Sequence, residues 1–307
     1  MRLFLRLVSG LALGTLASAQ TAEFEDNPIP DLFAALMALT LADEVSTASF
    51  RVDSSTPQSE DTRFTNLKLP WSKTFPLRGA NALRLTAALG GLLAEDHLFV
   101  DTPSGLATVD EEWLMLGGEV GLAWVRALGH GWNVRPGLAL GLAHLSNDAD
   151  YNEAGRIELA PLIEGTFVNW EAWAANMSAH LTLERPRASE RLAAGWTARY
   201  ALARSHVFGA TEESQEGSDS SRFAAVRAEL GGPTGWSRAG APLLWDVFGG
   251  AAQLGGVDPA SLGFDAVYEL GAGLTLRLSE HFPTLRLGAA WLTGPDVRGV
   301  SFGLSLP

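Results

Sequence analysis

The feature that most constrains this chain is a long alternation with a period of two residues. In FDAVYELGAGLTLRL, Phe264, Ala266, Tyr268, Leu270, Ala272, Leu274, Leu276 and Leu278 share one parity. Asp265, Val267, Glu269, Gly271, Gly273, Thr275 and Arg277 share the other. An extended strand sends successive side chains to opposite faces, so such a run has one apolar face and one small or polar face. The pattern recurs in Trp132–Leu142, Trp173–Leu183, Trp196–Leu202, Leu285–Trp291 and Val300–Leu306.

A soluble sandwich of sheets also alternates, and two observations set it aside. Many runs reach roughly 9 to 15 residues, the length of a tilted membrane-crossing strand rather than a mean globular strand of about 5–6. Their polar faces carry charges of both signs: Glu119, Arg135, Glu164, Arg199, Arg227, Glu269, Arg277 and Arg286. A sandwich core would strand those charges away from water, whereas a barrel lumen holds them. Trp113, Trp132, Trp173, Trp196, Trp245 and Trp291 stand near strand ends, where aromatic girdles form at membrane interfaces.

The beginning of the chain reads MRLFLRLVSGLALGTLASAQ. Arg2 and Arg6, an apolar core at Leu7–Leu16 and the small residues Ala17-Ser18-Ala19 predict a signal peptide over residues 1–19. Its apolar core is too short for a spanning helix, as is the next longest apolar stretch, Leu32–Ala42. Apolar residues nevertheless make up 47% of the chain, with 33 glycines and no cysteine. In lipid only helices and closed barrels satisfy every backbone hydrogen bond. The expected fold is therefore all-β, a transmembrane antiparallel barrel over residues 46–307 in the outer membrane of a diderm bacterium. A formal net charge of −13 excludes nucleic acid as a partner, since phosphate binding needs a basic face. Outer-membrane lipids and the barrel-assembly machinery are the expected partners.

Five strands are expected to begin near Ser46, Thr62, Ala80, Trp113 and Trp132, and five more near Arg222, Leu243, Leu262, Leu285 and Arg298. With both chain ends in the periplasm, residues 157–206 must hold an even number of strands. Alternation marks three there, an odd number that the parity forbids; two long ones make about 12 in all and four short ones about 14, and the smaller barrel is preferred. Residues 20–45 form a separate N-terminal segment. Asp31 is a candidate N-cap for a short helix over Leu32–Leu41, and the alternative is an extension of the first strand.

With the strands laid out, ALTLADEVSTASFRVD (Ala38–Asp53) and RFTNLKLPWSKTFPL (Arg63–Leu77) resemble the solitary outer-membrane autotransporter-like β-barrels. The resemblance implies a barrel like an autotransporter translocator domain, preceded by a helix-prone segment. Only Gln20–Val45 separates the predicted cleavage site from the barrel, which leaves no room for a passenger. Barrels of this kind usually end in an aromatic residue, whereas this chain ends Phe302-Gly303-Leu304-Ser305-Leu306-Pro307.

One stretch invites a chemical reading. In GLALGLAHLSNDADYN (Gly137–Asn152), His144 and Ser146 share the lipid-facing parity of Leu138, Leu140 and Leu142. His144-Leu145-Ser146-Asn147 is similar to the His-x-Ser-Asn signature of outer-membrane phospholipase A and of the lipid A deacylase. That similarity implies acyl transfer, with His144 deprotonating Ser146 and Glu158 orienting the imidazole. By alternation with Ile157 and Leu159, however, Glu158 points into the lumen, away from His144. The preferred reading is a polar strand rim in a barrel without enzymatic activity, structural, adhesive or weakly pore-forming. A lipid acyl hydrolase and a porin are the rivals. The lumen charges either line a pore or pair with each other and fill it. No cofactor is expected. Asp148, Asp150 and Asn152 lack the glycine and glutamate of a calcium loop, and no group of residues has zinc spacing.

Overall fold

The computed structural model describes residues 47–53, 61–165, 168–187, 192–238, 241–256, 264–276 and 285–305. The predicted signal peptide, the N-terminal segment and Arg277 lie outside the described residues. The first strands are β1 (Thr47–Val52), β2 (Thr62–Pro76), β3 (Asn81–Thr102), β4 (Gly105–Gly129), β5 (Trp132–Tyr151) and β6 (Trp170–Arg185). They are followed by β7 (Ala193–Phe208), β8 (Gly217–Arg238), β9 (Ala241–Gly255), β10 (Ala266–Leu276), β11 (Leu285–Thr293) and β12 (Val297–Ser305). Each strand pairs antiparallel with its sequence neighbours, and β1 pairs with β12 to close the barrel. Closure removes the exposed edges that an open sheet would present to lipid. No helix among the described residues is long and apolar enough to cross a membrane.

Strand length follows outward-facing chemistry. Leu69, Leu89, Val120, Leu138, Leu140, Met177, Leu202, Leu270, Trp291 and Phe302 project from the wall and are exposed. Together they make the apolar belt expected of a lipid-facing surface. Beyond the belt β3 and β4 continue as an unbroken hairpin, paired from Asn81–Arg126 to Thr102–Gly105. The outward residues of that extension include Glu95, Asp110 and Glu112, which suit water. This is why β4 begins at Gly105 rather than near Trp113. Trp113 itself points inward and packs edge-on against Trp170, with ring centroids 5.3 Å apart, so it belongs to the core and not to a girdle.

One end of the barrel, called here the near end, holds the entry to β1, the exit of β12 and tight turns. The β4–β5 turn, His130-Gly131, has positive φ at both residues (53° and 80°). That geometry matches the twist of a hairpin and favours glycine at the second position. The far end carries the β3–β4 extension and two short helices, α1 (Glu153–Glu158) and α2 (Ala160–Ile163). Asn152 caps α1, its Oδ1 accepting from Gly155 N at 2.7 Å. The same side chain ties the cap to the hairpin through Thr108 N (3.1 Å) and Leu106 O (2.8 Å). Leu159, Ile163 and Val168 then pack on Leu98, Ala107 and Val109. Within residues 157–206 there are thus two strands, β6 and β7, and the barrel has twelve.

Candidate functional site: a filled lumen and a polar outer rim

The lumen holds two kinds of filling. Toward the far end it is an apolar core. Phe50 and Phe64 stack with centroids 5.1 Å apart, and Phe264 meets Phe50 edge-on at 5.9 Å. Leu92, Met115, Leu145, Trp170, Val207, Phe223 and Leu254 join the same buried cluster. Inward parity at these strand ends supplies large side chains from all sides, and their contact excludes water.

Toward the near end the filling is ionic. Asp246 on β9, 1% exposed, accepts from Arg286 on β11 at 2.7 Å. Arg187, in the turn after β6, lies 3.8 Å from the same carboxylate and 3.9 Å from Glu229 on β8. Arg227 pairs with Glu269 at 3.2 Å and lies 3.9 Å from the Phe248 ring centroid. The Arg286 guanidinium approaches the same ring at 5.5 Å. Arg187, Arg227 and Arg286 thus face Glu229, Asp246 and Glu269, a balanced lattice along the inner faces of β8 to β11 and the turn after β6. Such groups persist away from bulk water only when paired and hydrogen-bonded. Glycines clear their seats: a Cβ on Gly250 would lie 2.7 Å from Glu269 Oε1, and one on Gly231 would lie 2.8 Å from Arg187 Nη1.

The other charges read from the sequence fall in different places. Arg135 is buried and pairs with Glu184 at 3.3 Å. Glu119 and Arg199 are half-buried on the inner faces of β4 and β7. Glu164 is not on a wall strand; it is exposed and follows α2 at the far end. Alternation misassigned it because 157–163 are helical, so parity there carries no information about the lumen. The alternation also passed over Asp246, although its parity with Phe248 and Gly250 marks it as inward. Arg187 had no such signal, because a turn has no face.

Beneath the far-end helices, Glu111 and Asp96 are buried cross-strand partners on the inner face of the β3–β4 extension. Their position lies beyond the apolar belt, between the outward Asp110 and Glu112. Burial, with the neighbouring Asp96 charge second, pushes the Glu111 carboxyl up to about 7. Asn147 Nδ2 donates to Glu111 Oε1 at 2.7 Å, and Asn147 Oδ1 accepts from Asn169 N at 3.0 Å. The Tyr151 hydroxyl is also raised, chiefly by burial and then by the Glu164 charge.

On the outer wall His144 and Ser146 both face outward. Glu158 is not their partner: it ends α1 and accepts from Ser104 Oγ at 2.5 Å, at the tip of the β3–β4 hairpin. Its expected lumen-facing strand position is likewise replaced by the helix. The carboxylate that approaches His144 is Glu171 on β6, with Oε2 3.6 Å from Nε2. Cross-strand register puts it there, because Ser146 pairs with Glu171 and His144 with Trp173. Trp173 meets the imidazole edge-on with centroids 5.0 Å apart. Among the described residues the side-chain contacts of His144 are with Glu171 and Trp173, and none is with Ser146.

A closed antiparallel barrel of twelve strands, apolar outside and with an apolar cluster and paired charges inside, defines this protein as a transmembrane β-barrel of the bacterial outer membrane. The chain belongs to the solitary outer membrane autotransporter beta-barrel domain family, whose model matches residues 46–301. Among solved structures it is similar to the β domain of the Bordetella autotransporter Brka, at 14% identity and a TM-score of 0.49, covering 84% of this chain and 95% of that one. It is also similar to the translocator domain of the autotransporter NalP from Neisseria meningitidis, at 10% identity and a TM-score of 0.47, covering 88% and 90%. LpxR from Salmonella typhimurium aligns at 13% identity and a TM-score of 0.36, over 84% and 99%. No curated protein sequence matches the chain.

Proposed function

We propose that this barrel is a non-enzymatic, closed scaffold of the outer membrane, with its near end in the periplasm and its far end at the cell surface. The observation that carries the reading is an apolar cluster that closes the lumen, with paired charges on the wall beside it. The Phe50–Phe64–Phe264 cluster draws buried side chains from strands all round the barrel and closes it toward the far end, and the Asp246 lattice pairs the charges on β8 to β11. A lumen filled by side chains is a packed core and not a channel. What the protein offers its surroundings is then the β3–β4 hairpin with α1 and α2, a structural or adhesive surface held above the lipid. Planar-bilayer recording on the purified full chain tests this. Wild type should show no sustained open-channel current, and a steady conductance would replace the scaffold with a pore.

Acyl hydrolysis is a second reading, favoured by the Glu171 carboxylate beside His144 and by the outward placement of Ser146. The missing His144–Ser146 hydrogen bond weighs against it. Fatty-acid release from phospholipid micelles by wild type, abolished in Ser146→Ala, would establish it. Equal and negligible release from both proteins is the outcome expected of a scaffold.

A further inference from the structure

At the seam where the barrel closes, three arginines stand side by side on the outer wall. Arg51 on β1 is the direct cross-strand partner of Arg298 on β12 and of Arg63 on β2. All three are exposed and face outward. The row continues to Glu95 on β3, the register partner of Arg63, whose carboxylate lies 3.6 Å from the Arg63 guanidinium. Like charges placed directly opposite one another destabilise a ladder. Here they do so on the shortest ladders of the described barrel, since β1 pairs with each neighbour over six residues.

The height of the row identifies the class of anion that would relieve it. Toward the membrane the next outward residues are Ser49, Thr65 and Val300, and then the exposed Leu67 and Phe302 of the apolar belt. Away from the membrane, two residues farther along each chain, come Asp53, Asp61 and Asp296. On β12, β1 and β2 cations thus border the lipid, and carboxylates lie on their solvent side. That is the depth of a lipid's phosphates. Guanidinium forks bind phosphate oxygens bidentately, and neighbouring strands space them to grip more than one phosphate group.

We propose that Arg298, Arg51 and Arg63 form a binding site for the phosphates of an anionic lipid headgroup in the far leaflet. The bound headgroup neutralises the row and clamps β12, β1 and β2 together at the closure of the barrel. The site is independent of whether the lumen conducts.

The test follows the temperature at which the folded full chain in neutral detergent loses its compact gel mobility. The probes are bisphosphorylated lipid A, its dephosphorylated form and inorganic phosphate. Bisphosphorylated lipid A should raise that temperature, and the other two should not. Titration should show affinity falling about fivefold for each arginine removed and about a hundredfold in the triple Gln variant. Arg51→Gln should lose most of the rise. Arg126→Gln, an identical change in charge at the other end of the wall, should retain it. Arg51→Lys, which keeps the charge and loses the fork, should fall between. An equal rise in Arg51→Gln and Arg126→Gln overturns the site, as does an equal rise with dephosphorylated lipid A. A matching effect of inorganic phosphate makes the row a site for a free anion and overturns the lipid assignment.

Discussion

Asp246 on β9 grips Arg286 on β11 by reaching across the whole width of β10. Arg286 Nη2 lies 2.7 Å from Oδ2, and Nε lies 3.4 Å from Oδ1. The bridge passes over Gly273, where a Cβ would come within 3.0 Å of both carboxylate oxygens. An ion pair therefore couples strands that share no backbone hydrogen bonds. It also explains why the inner face of β10 carries glycine at that level.

Removing the carboxylate takes the Asp246 partner from both Arg286 and Arg187 inside a closely packed wall. Asp246→Ala should destabilise the barrel by about 3 kcal/mol, in the range for breaking a buried pair from one side. Guanidinium-chloride unfolding in detergent reads this directly. Asp246→Asn, which keeps the shape and loses the charge, should fall between wild type and Ala.

Gly271 tests whether the glycines of the inner wall are there for space. A Cβ would meet the Phe248 ring and come within 2.5 Å of the Ala289 carbonyl oxygen, a backbone atom that cannot swing aside. Gly271→Ala should cost about 1–3 kcal/mol through overpacking, despite alanine's small size. Gly79→Ala is the contrasting case, because nothing lies within 4 Å there and only its positive φ of 69° opposes the change.

Glu111 should make far-end stability depend on pH. Burial and the Asp96 charge push its folded carboxyl from the ordinary 4.5 up to about 7, so between those values the folded state keeps a proton that the unfolded chain has released. The contribution is fully present below about 4.5 and is lost as pH rises through about 7, on the order of 3 kcal/mol in all. Glu111→Gln should flatten that slope and be the more stable protein at pH 8. Hydrogen exchange of the β3–β4 extension between pH 5 and pH 8 measures both effects.

Asn152→Ala should free the far-end helices. It removes the cap of α1 and two further bonds to β4, a loss of about 1–2 kcal/mol for a capping residue. Limited proteolysis should then cut within residues 153–163 while the barrel remains intact.

The strands of this protein were legible because alternation is a local property. Parity separates the lipid face from the lumen face wherever the backbone is extended, as the outward Leu138, Leu140 and Leu142 show. It fails where the backbone is not extended. Ile157, Glu158 and Leu159 imitate a strand in sequence, yet Asn152 caps a helix there and sends Glu158 to Ser104. The parity of Met115 places Trp113 inside, whereas a girdle position depends on where the strand ends, and β4 runs on past Trp113 to Gly105.

Chain order alone determined that the barrel exists, which face of each extended strand turns inward and that charges of both signs would share its interior. Only the tertiary structure decided who meets whom. Strand register brings Glu171 rather than Glu158 to His144, joins Arg51 to Arg63 and Arg298, and lets Asp246 reach Arg286 over a glycine. The physical reason is that a side chain's face depends on its own strand. Its partners depend on the stagger between strands, which is settled only when all twelve close into one ring.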